Sequence, residues 1–250
     1  WFVDYQNFYT FCGVLSQTEG NVMIDGIDLR KNPVAAKQNI GFLPQKPPLY
    51  GDLTVDEYLT YAAQLRQMDP KDIPSALETA KEKCGISHFS KRLIKNLSGG
   101  YQQRVGIAQA IIHNPRLVVM DEPTNGLDPN QILDVRALIK DIAKDRAVLI
   151  STHILSEVQA TCDRIMMIEH GSLVFSGSID DFDNYIEPDS FIMTLSHAPL
   201  EEDLMKVPGV TDVKPISEYS SRFRAWFDGD RETLNRMVDA SARNGWGLSE

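Results

Sequence analysis

The 250-residue sequence has no apolar run long enough to cross a bilayer, and no signal-peptide pattern opens it, so any membrane role is expected to come through a partner. Its three cysteines, Cys12, Cys84 and Cys162, are far apart and fit neither CxxC nor metal-ligand spacing. That leaves reduced thiols and excludes a disulfide framework or a cysteine-held zinc. Positive charge is in short supply: 25 Lys and Arg against 35 Asp and Glu give a net charge of −10, the wrong sign for a surface that grips nucleic-acid phosphates. Internal repeats, low-complexity tracts and coiled-coil heptads are missing as well. What remains is 42% hydrophobic and 24% charged residues, in a chain long enough for one large domain and a small one.

Patterning divides the chain. Residues 21–29 alternate apolar and polar around Asp25-Gly26, as an antiparallel hairpin would, and 40–43 form a short apolar strand ending at Pro44-Gln45. Thr54, followed three residues later by Glu57, makes a capping box that opens a helix running to about Met68. Another helix runs from Lys71 or Pro74 to Cys84 and stops at Gly85, and 98–113 form a further one closed by Asn114-Pro115. Strands at 117–120, 147–151 and 164–168 then alternate with helices at 130–144 and 155–161. Continuous apolar strands separated by helices imply a parallel sheet covered on both faces. A return strand follows at 171–175 and a helix at 179–185. Beyond Glu187-Pro188-Asp189 the pattern becomes that of a small α+β region, with strands at 191–195, 210–214 and 223–227, helices at 200–206 and 231–244, and a last strand starting at Trp246. No catalytic constellation falls there.

The chemistry is concentrated in the first part. Ser98-Gly99-Gly100, followed by Tyr101-Gln102-Gln103-Arg104, opens a helix. The glycines let an anion approach the backbone, Ser98 can cap, and the free N–H groups add the positive helix end. The plain alternative is an ordinary Ser-Gly-Gly turn. Downstream, Leu117-Val118-Val119-Met120 ends on Asp121-Glu122-Pro123-Thr124, placing an acid pair at the carboxyl end of a buried strand, where α/β sheets meet ligands. Its plain alternative is a solvated helix start. Asn125-Gly126-Leu127-Asp128-Pro129 follows, with Asp128 also suited to cap the next helix. Ser151-Thr152-His153 follows the next strand, and Gln45 follows the strand at 40–43; a lone histidine is more often structural, and Pro-Gln after a strand is common.

Together these segments, in this order and spacing over 21–177, resemble the ABC ATPase family closely. The resemblance implies a P-loop NTPase-like α/β fold: a mainly parallel sheet with helices on both faces, a helical subdomain at about 52–114, and a small α+β C-terminal domain. It puts the ATPase domain at 1–187 and an incomplete accessory domain at 188–250. It implies Mg²⁺ with ATP, with Asp121 and Gln45 serving the metal, partly through water. Glu122 becomes the base that orients the attacking water, and His153 and Gln45 complete the catalytic set. Ser98, Gly99, Gly100 and Tyr101 form the signature that receives the γ-phosphate of ATP held by the opposite subunit, and Asp128 lies on the D-loop of that interface. Tyr101 departs from the Gln more usual in the signature.

The implied partners are a second ATPase subunit, identical or not, and an integral membrane permease docked through 52–84, at the cytoplasmic face of the membrane. No nucleic-acid partner is implied. The C-terminal addition looks like that of ABC-2-type exporters. A soluble ABC ATPase of translation or repair, or a degenerate regulatory module, is the competing reading.

One family motif is missing. The P-loop G-x-x-x-x-G-K-[ST] holds the β- and γ-phosphates through its N–H groups and Lys, and is expected before the hairpin at 21–29. Counting back from Gly13-Val14-Leu15, its Lys would fall near Asp4, among Trp1, Phe2, Tyr5, Phe8, Tyr9 and Phe11. The strand and aromatic residue that stack on adenine are absent too. The expectation is an N-terminally truncated subunit without ATPase activity as written.

Overall fold

The computed structural model describes residues 5–185, 189–216, 221–230 and 232–249. Asp4, Trp1, Phe2 and the Glu187-Pro188 boundary lie outside the described residues. The chain divides into two compact units, Trp1–Ile179 and Asp180–Glu250.

The first unit begins with helix α1 (Tyr5–Phe11) and a hairpin of β1 (Met23–Ile24) and β2 (Ile27–Asp28). Asp25 and Gly26 both take positive φ, 48° and 76°, which is the turn that matches strand twist in a two-residue hairpin. After α2 (Pro33–Gln38), strand β3 (Ile40–Leu43) enters a parallel sheet with β4 (Leu117–Asp121) and β5 (Ala147–Ser151), in the order β3-β4-β5. The register sets Leu43 level with Met120, and Asp121 level with Ser151. All three strands therefore end at one edge, and the loops leaving them converge there.

Between β3 and β4 the chain builds a helical layer of α3 (Val55–Leu65), α4 (Ile73–Lys83) and α5 (Gly99–Ile111). The capping box at the start of α3 is complete: the Glu57 N–H donates to Thr54 Oγ1 and the Thr54 N–H donates to Glu57 Oε2. Gly85, at φ 65°, turns the chain away after α4. The apolar sides of these helices and of β4 meet in one core with Leu59, Ile86, Val105, Ile107 and Met120. Helix α5 lies directly on β3, because a Cβ on Gly41 would stand 2.0 Å from the Ala110 carbonyl oxygen. Helices α6 (Pro129–Ala143) and α7 (Leu155–Thr161) follow β4 and β5. The expected α/β architecture with a mainly parallel sheet and flanking helices is present.

One strand departs from expectation. Strand β6 (Arg164–Glu169) does not extend the parallel sheet; it pairs antiparallel with β7 (Ser172–Ser178), and β3 is the third strand instead. His170 and Gly171, at φ 48° and 78°, turn the chain into the return strand, and among the described residues the other edge of β6 makes no ladder. Among the described residues no strand pairs with the outer edge of β5. A groove of about 650 Å³ runs there between β5, β6 and α7, with Phe8 and Phe11 of α1 in its wall. Arg146 Nε and Nη1 and Thr161 Oγ1, from residues lining this groove, have no hydrogen-bond partner. The first unit ends at Ile179, where helix α8 (Ile179–Tyr185) opens the second.

The second unit contains β8 (Ser190–Thr194), α9 (Glu201–Leu204), β9 (Val210–Pro215), β10 (Arg222–Phe227) and α10 (Glu232–Asn244). Strand β10 lies between β8 and β9, antiparallel to both, and Leu248 bridges to Leu195 as the start of a further strand. Alternation along β10 buries Phe223, Ala225 and Phe227 and turns Arg222 and Arg224 outward. Met193, Val213, Leu204 and Met237 complete a separate core.

Candidate active site

The site is built on the converging ends of β4 and β5. Asp121, the last residue of β4, is 1% exposed, and its Oδ1 accepts a 2.7 Å hydrogen bond from Ser151 at the end of β5. Its Oδ2 is buried without a partner. Burial raises its pKa, against hydrogen bonds from Ser151 and Tyr9 that favour the charged form, while the neighbouring Glu122 charge adds to the rise. An orphaned carboxylate oxygen of this kind fits a hard divalent cation. Among the described residues no cluster of three or more His, Cys, Asp and Glu gathers around it. A cation here would take most of its oxygens from phosphate and water, as Mg²⁺ commonly does.

Glu122 leaves the strand in a left-handed conformation, φ 45°, which costs a residue with a Cβ about 1–2 kcal/mol. Its N–H is held by the Ser151 carbonyl at 2.9 Å, and the turn directs its side chain toward the loop after β5. There Glu122 Oε1 accepts hydrogen bonds from the His153 backbone N–H at 3.1 Å and from His153 Nδ1 at 2.6 Å. The hydrogen bond to Glu122 and its charge raise the pKa of His153, with a smaller contribution from Glu157. Backbone strain at a buried acid, paired with a histidine whose other face is exposed, is an arrangement that tends to mark functional sites.

The remaining candidates divide. Gln45 follows β3 at the same sheet edge; it is half-buried and joins the Asp121–Glu122–His153 group through no hydrogen bond. Ser98 and Gly99 are exposed at the start of α5, and Ser98 makes no side-chain cap, so the N-terminal groups of that helix face outward. Gly100 is buried against Gln131 of α6: a Cβ there would stand 2.6 Å from the Gln131 amide carbon. Tyr101 turns away from this end and packs its ring edge-on against Phe89, 4.6 Å between centroids. Asp128 caps α6, accepting the N–H groups of Asn130 and Gln131 at 3.0 Å each. Gln103, from the Gln-Gln-Arg continuation, donates to the Pro123 carbonyl at 2.7 Å and ties α5 to the loop carrying the acids.

Sequence reasoning missed Thr124 and Glu157. Glu157 is 5% exposed on α7, and its two oxygens accept from Thr124 Oγ1 at 2.5 Å and Thr152 Oγ1 at 3.2 Å. In the sequence it reads as an acid in a first helical turn, where the macrodipole alone explains it. The only available hint was two threonines flanking the acid pair and the histidine.

Comparison with known proteins shows the family. The ABC transporter family model matches residues 8–125. The Bacillus subtilis ABC transporter ATP-binding protein NatA is 33% identical over 169 residues, covering 67% of this chain and 69% of NatA. The Haemophilus influenzae lipopolysaccharide export system ATP-binding protein LptB is 33% identical over 68% of this chain and 73% of its own length. The bacitracin transport ATP-binding protein BcrA of Bacillus licheniformis is 37% identical over 65% of this chain. A solved ATP-binding subunit of an ABC transporter superposes with a TM-score of 0.64 at 26% identity, covering 73% of this chain and 76% of that one. The chain belongs to the ABC transporter ATP-binding family, a family of ATPases. It matches 66% of the length of the Bacillus subtilis protein YxlF and 53% of BcrA.

Proposed function

We propose that this protein is the ATP-hydrolysing subunit of an ABC-2-type membrane exporter. The observation that carries this reading is the buried Asp121 with an open oxygen beside a strained Glu122 that is hydrogen-bonded to His153. In this reading Mg²⁺ bound with ATP neutralises phosphate charge, and Asp121 and Gln45 serve the metal, partly through water. Glu122 orients the attacking water and accepts its proton, a role typically worth about 10²–10⁴-fold in rate. His153, anchored by Glu122 through Nδ1, presents its remaining ring nitrogen to the γ-phosphate.

The outward-facing start of α5 supports the signature role of Ser98, Gly99, Gly100 and Tyr101 toward nucleotide on a second subunit, with Asp128 at the same interface. The catalytic pair and the signature then belong to different ATP molecules, so hydrolysis requires a dimer. Residues 52–84 dock on the permease at the cytoplasmic face of the membrane, and 188–250 form the accessory domain of this exporter group. No helix among the described residues is long and apolar enough to cross a membrane, in keeping with a peripheral subunit.

The 250 residues contain no G-x-x-x-x-G-K-[ST], and we propose that by themselves they do not hydrolyse ATP. Steady-state phosphate release by the purified chain with Mg-ATP tests this: the expected rate equals the uncatalysed background, and turnover abolished by Glu122→Gln would overturn the inactivity. Co-purification with a membrane subunit, lost when exposed residues of 52–84 are substituted, tests the transporter assignment.

A further inference from the structure

We propose that Glu157 is a positioning residue that holds the Thr152 hydroxyl proton away from Glu122, leaving one Glu122 oxygen free to receive a proton. The inference rests on the reading of Glu122 as the base. The geometry is a competition for one hydrogen. Thr152 Oγ1 lies 3.2 Å from Glu157 Oε2 and 3.4 Å from Glu122 Oε2. A hydroxyl has a single proton to give, so it can satisfy only one of these carboxylates. One of its two lone pairs is already engaged, because the Ile154 N–H donates to Thr152 Oγ1 at 3.2 Å. That bond helps fix the hydroxyl in place.

The nearer carboxylate is also the better held. Glu157 Oε1 takes the Thr124 hydroxyl at 2.5 Å, and Arg136 Nη2 stands 3.7 Å from the same oxygen, which fixes the carboxylate plane and leaves Oε2 aimed at Thr152. With the Thr152 hydroxyl donating to Glu157, each Glu157 oxygen accepts one threonine hydroxyl. Glu122 Oε1 is fully engaged by His153, through the backbone N–H and Nδ1. Glu122 Oε2 is then the one oxygen of the pair without a protein donor, as a base that must accept a proton from water requires. Without Glu157, the Thr152 proton turns to Glu122 Oε2 and the base is capped at both oxygens.

The test reads the Glu122–His153 pair by NMR titration of the His153 ring in the chain without nucleotide, its signal assigned by its loss in His153→Asn. Groups facing His153 are Glu122 and Glu157. Thr152→Val in the wild-type background is expected to leave the His153 midpoint nearly unchanged, since that hydroxyl proton is already spent on Glu157. In the Glu157→Ala background, the freed hydroxyl weakens the pull of Glu122 on His153, and adding Thr152→Val moves the midpoint back up by about half a pH unit. Simple loss of the Glu157 charge or of packing would not make the Thr152→Val effect depend on background. Equal effects of Thr152→Val in the two backgrounds would overturn the proposal. Glu157→Met, close in volume and without a carboxylate or amide oxygen to accept either hydroxyl, provides the same comparison if the alanine variant does not fold. The titration needs no ATP, so its failure is distinct from a failure of the hydrolytic reading, which phosphate release decides.

Discussion

The two units of this chain bury very different things. The first carries charge into its interior: Asp121, Glu122 and Glu157 are buried with Ser151 and Thr124, and Lys81 is buried elsewhere, paired with Asp56 and Glu78. The second buries Met193, Leu195, Phe223, Ala225 and Phe227, and its buried polar groups among the described residues are only Thr233 and Ser241. Sheet direction explains the contrast. Parallel strands β3, β4 and β5 deliver all their carboxyl ends to one edge, so side chains from distant parts of the sequence can meet there. The antiparallel β8-β10-β9 sheet sends alternate strand ends to opposite edges and offers no such convergence. One unit is organised around chemistry, the other around packing.

Packing is where the second unit is most easily broken. Phe223→Ala should cost about 3–5 kcal/mol, a large share of what a small core supplies. Denaturant unfolding followed by the fluorescence of Trp226 and Trp246, both in that unit, should detect the loss. Ile107→Val in the larger core of the first unit should cost only about 1 kcal/mol.

The next effect separates the units by pH. Burial, then the Arg66 and Arg146 charges, lowers the pKa of His113 in the first unit from 6.5 to about 4. Its Nε2 faces the Ile40 carbonyl at 3.1 Å, and its Nδ1 is buried without a partner, so the ring is kept neutral. Between those two values the unfolded chain binds a proton that the folded one refuses. Stability contributed by His113 is therefore present above pH 6.5 and drains away as pH falls toward 4, by about 3 kcal/mol in all. Unfolding measured at stepped pH should show a slope that His113→Asn flattens.

A smaller loss, about 1 kcal/mol, is expected for Asp128→Ala, which frees the two N–H groups at the start of α6. Urea midpoints would register it in the first unit alone. His153 should give the smallest change, with the opposite sign to His113. Its pKa is raised by Glu122, so its contribution is present at low pH and is lost as pH rises through the folded value. The His153→Asn variant should lack that decline, and the exposure of the ring keeps the effect slight.

Much of the local structure could be read directly. Asp25-Gly26 announced its hairpin, Thr54 and Glu57 their capping box, and Asp121 and Glu122 their strand end, because each depends on neighbours a few residues away. What could not be read depends on contacts between distant segments. The strand at 164–168 was expected in the parallel sheet, where an apolar run fits equally well; its return through His170-Gly171 was legible, its separation from β5 was not. The Glu157 bridge joins hydroxyls 33 and 5 residues away along the chain, a relation no periodicity encodes.

The outer edge of β5 has a consequence for what can be joined to it. Among the described residues its backbone groups meet no strand, and such an edge recognises backbone rather than sequence, so an extended segment that reaches it can add a rung.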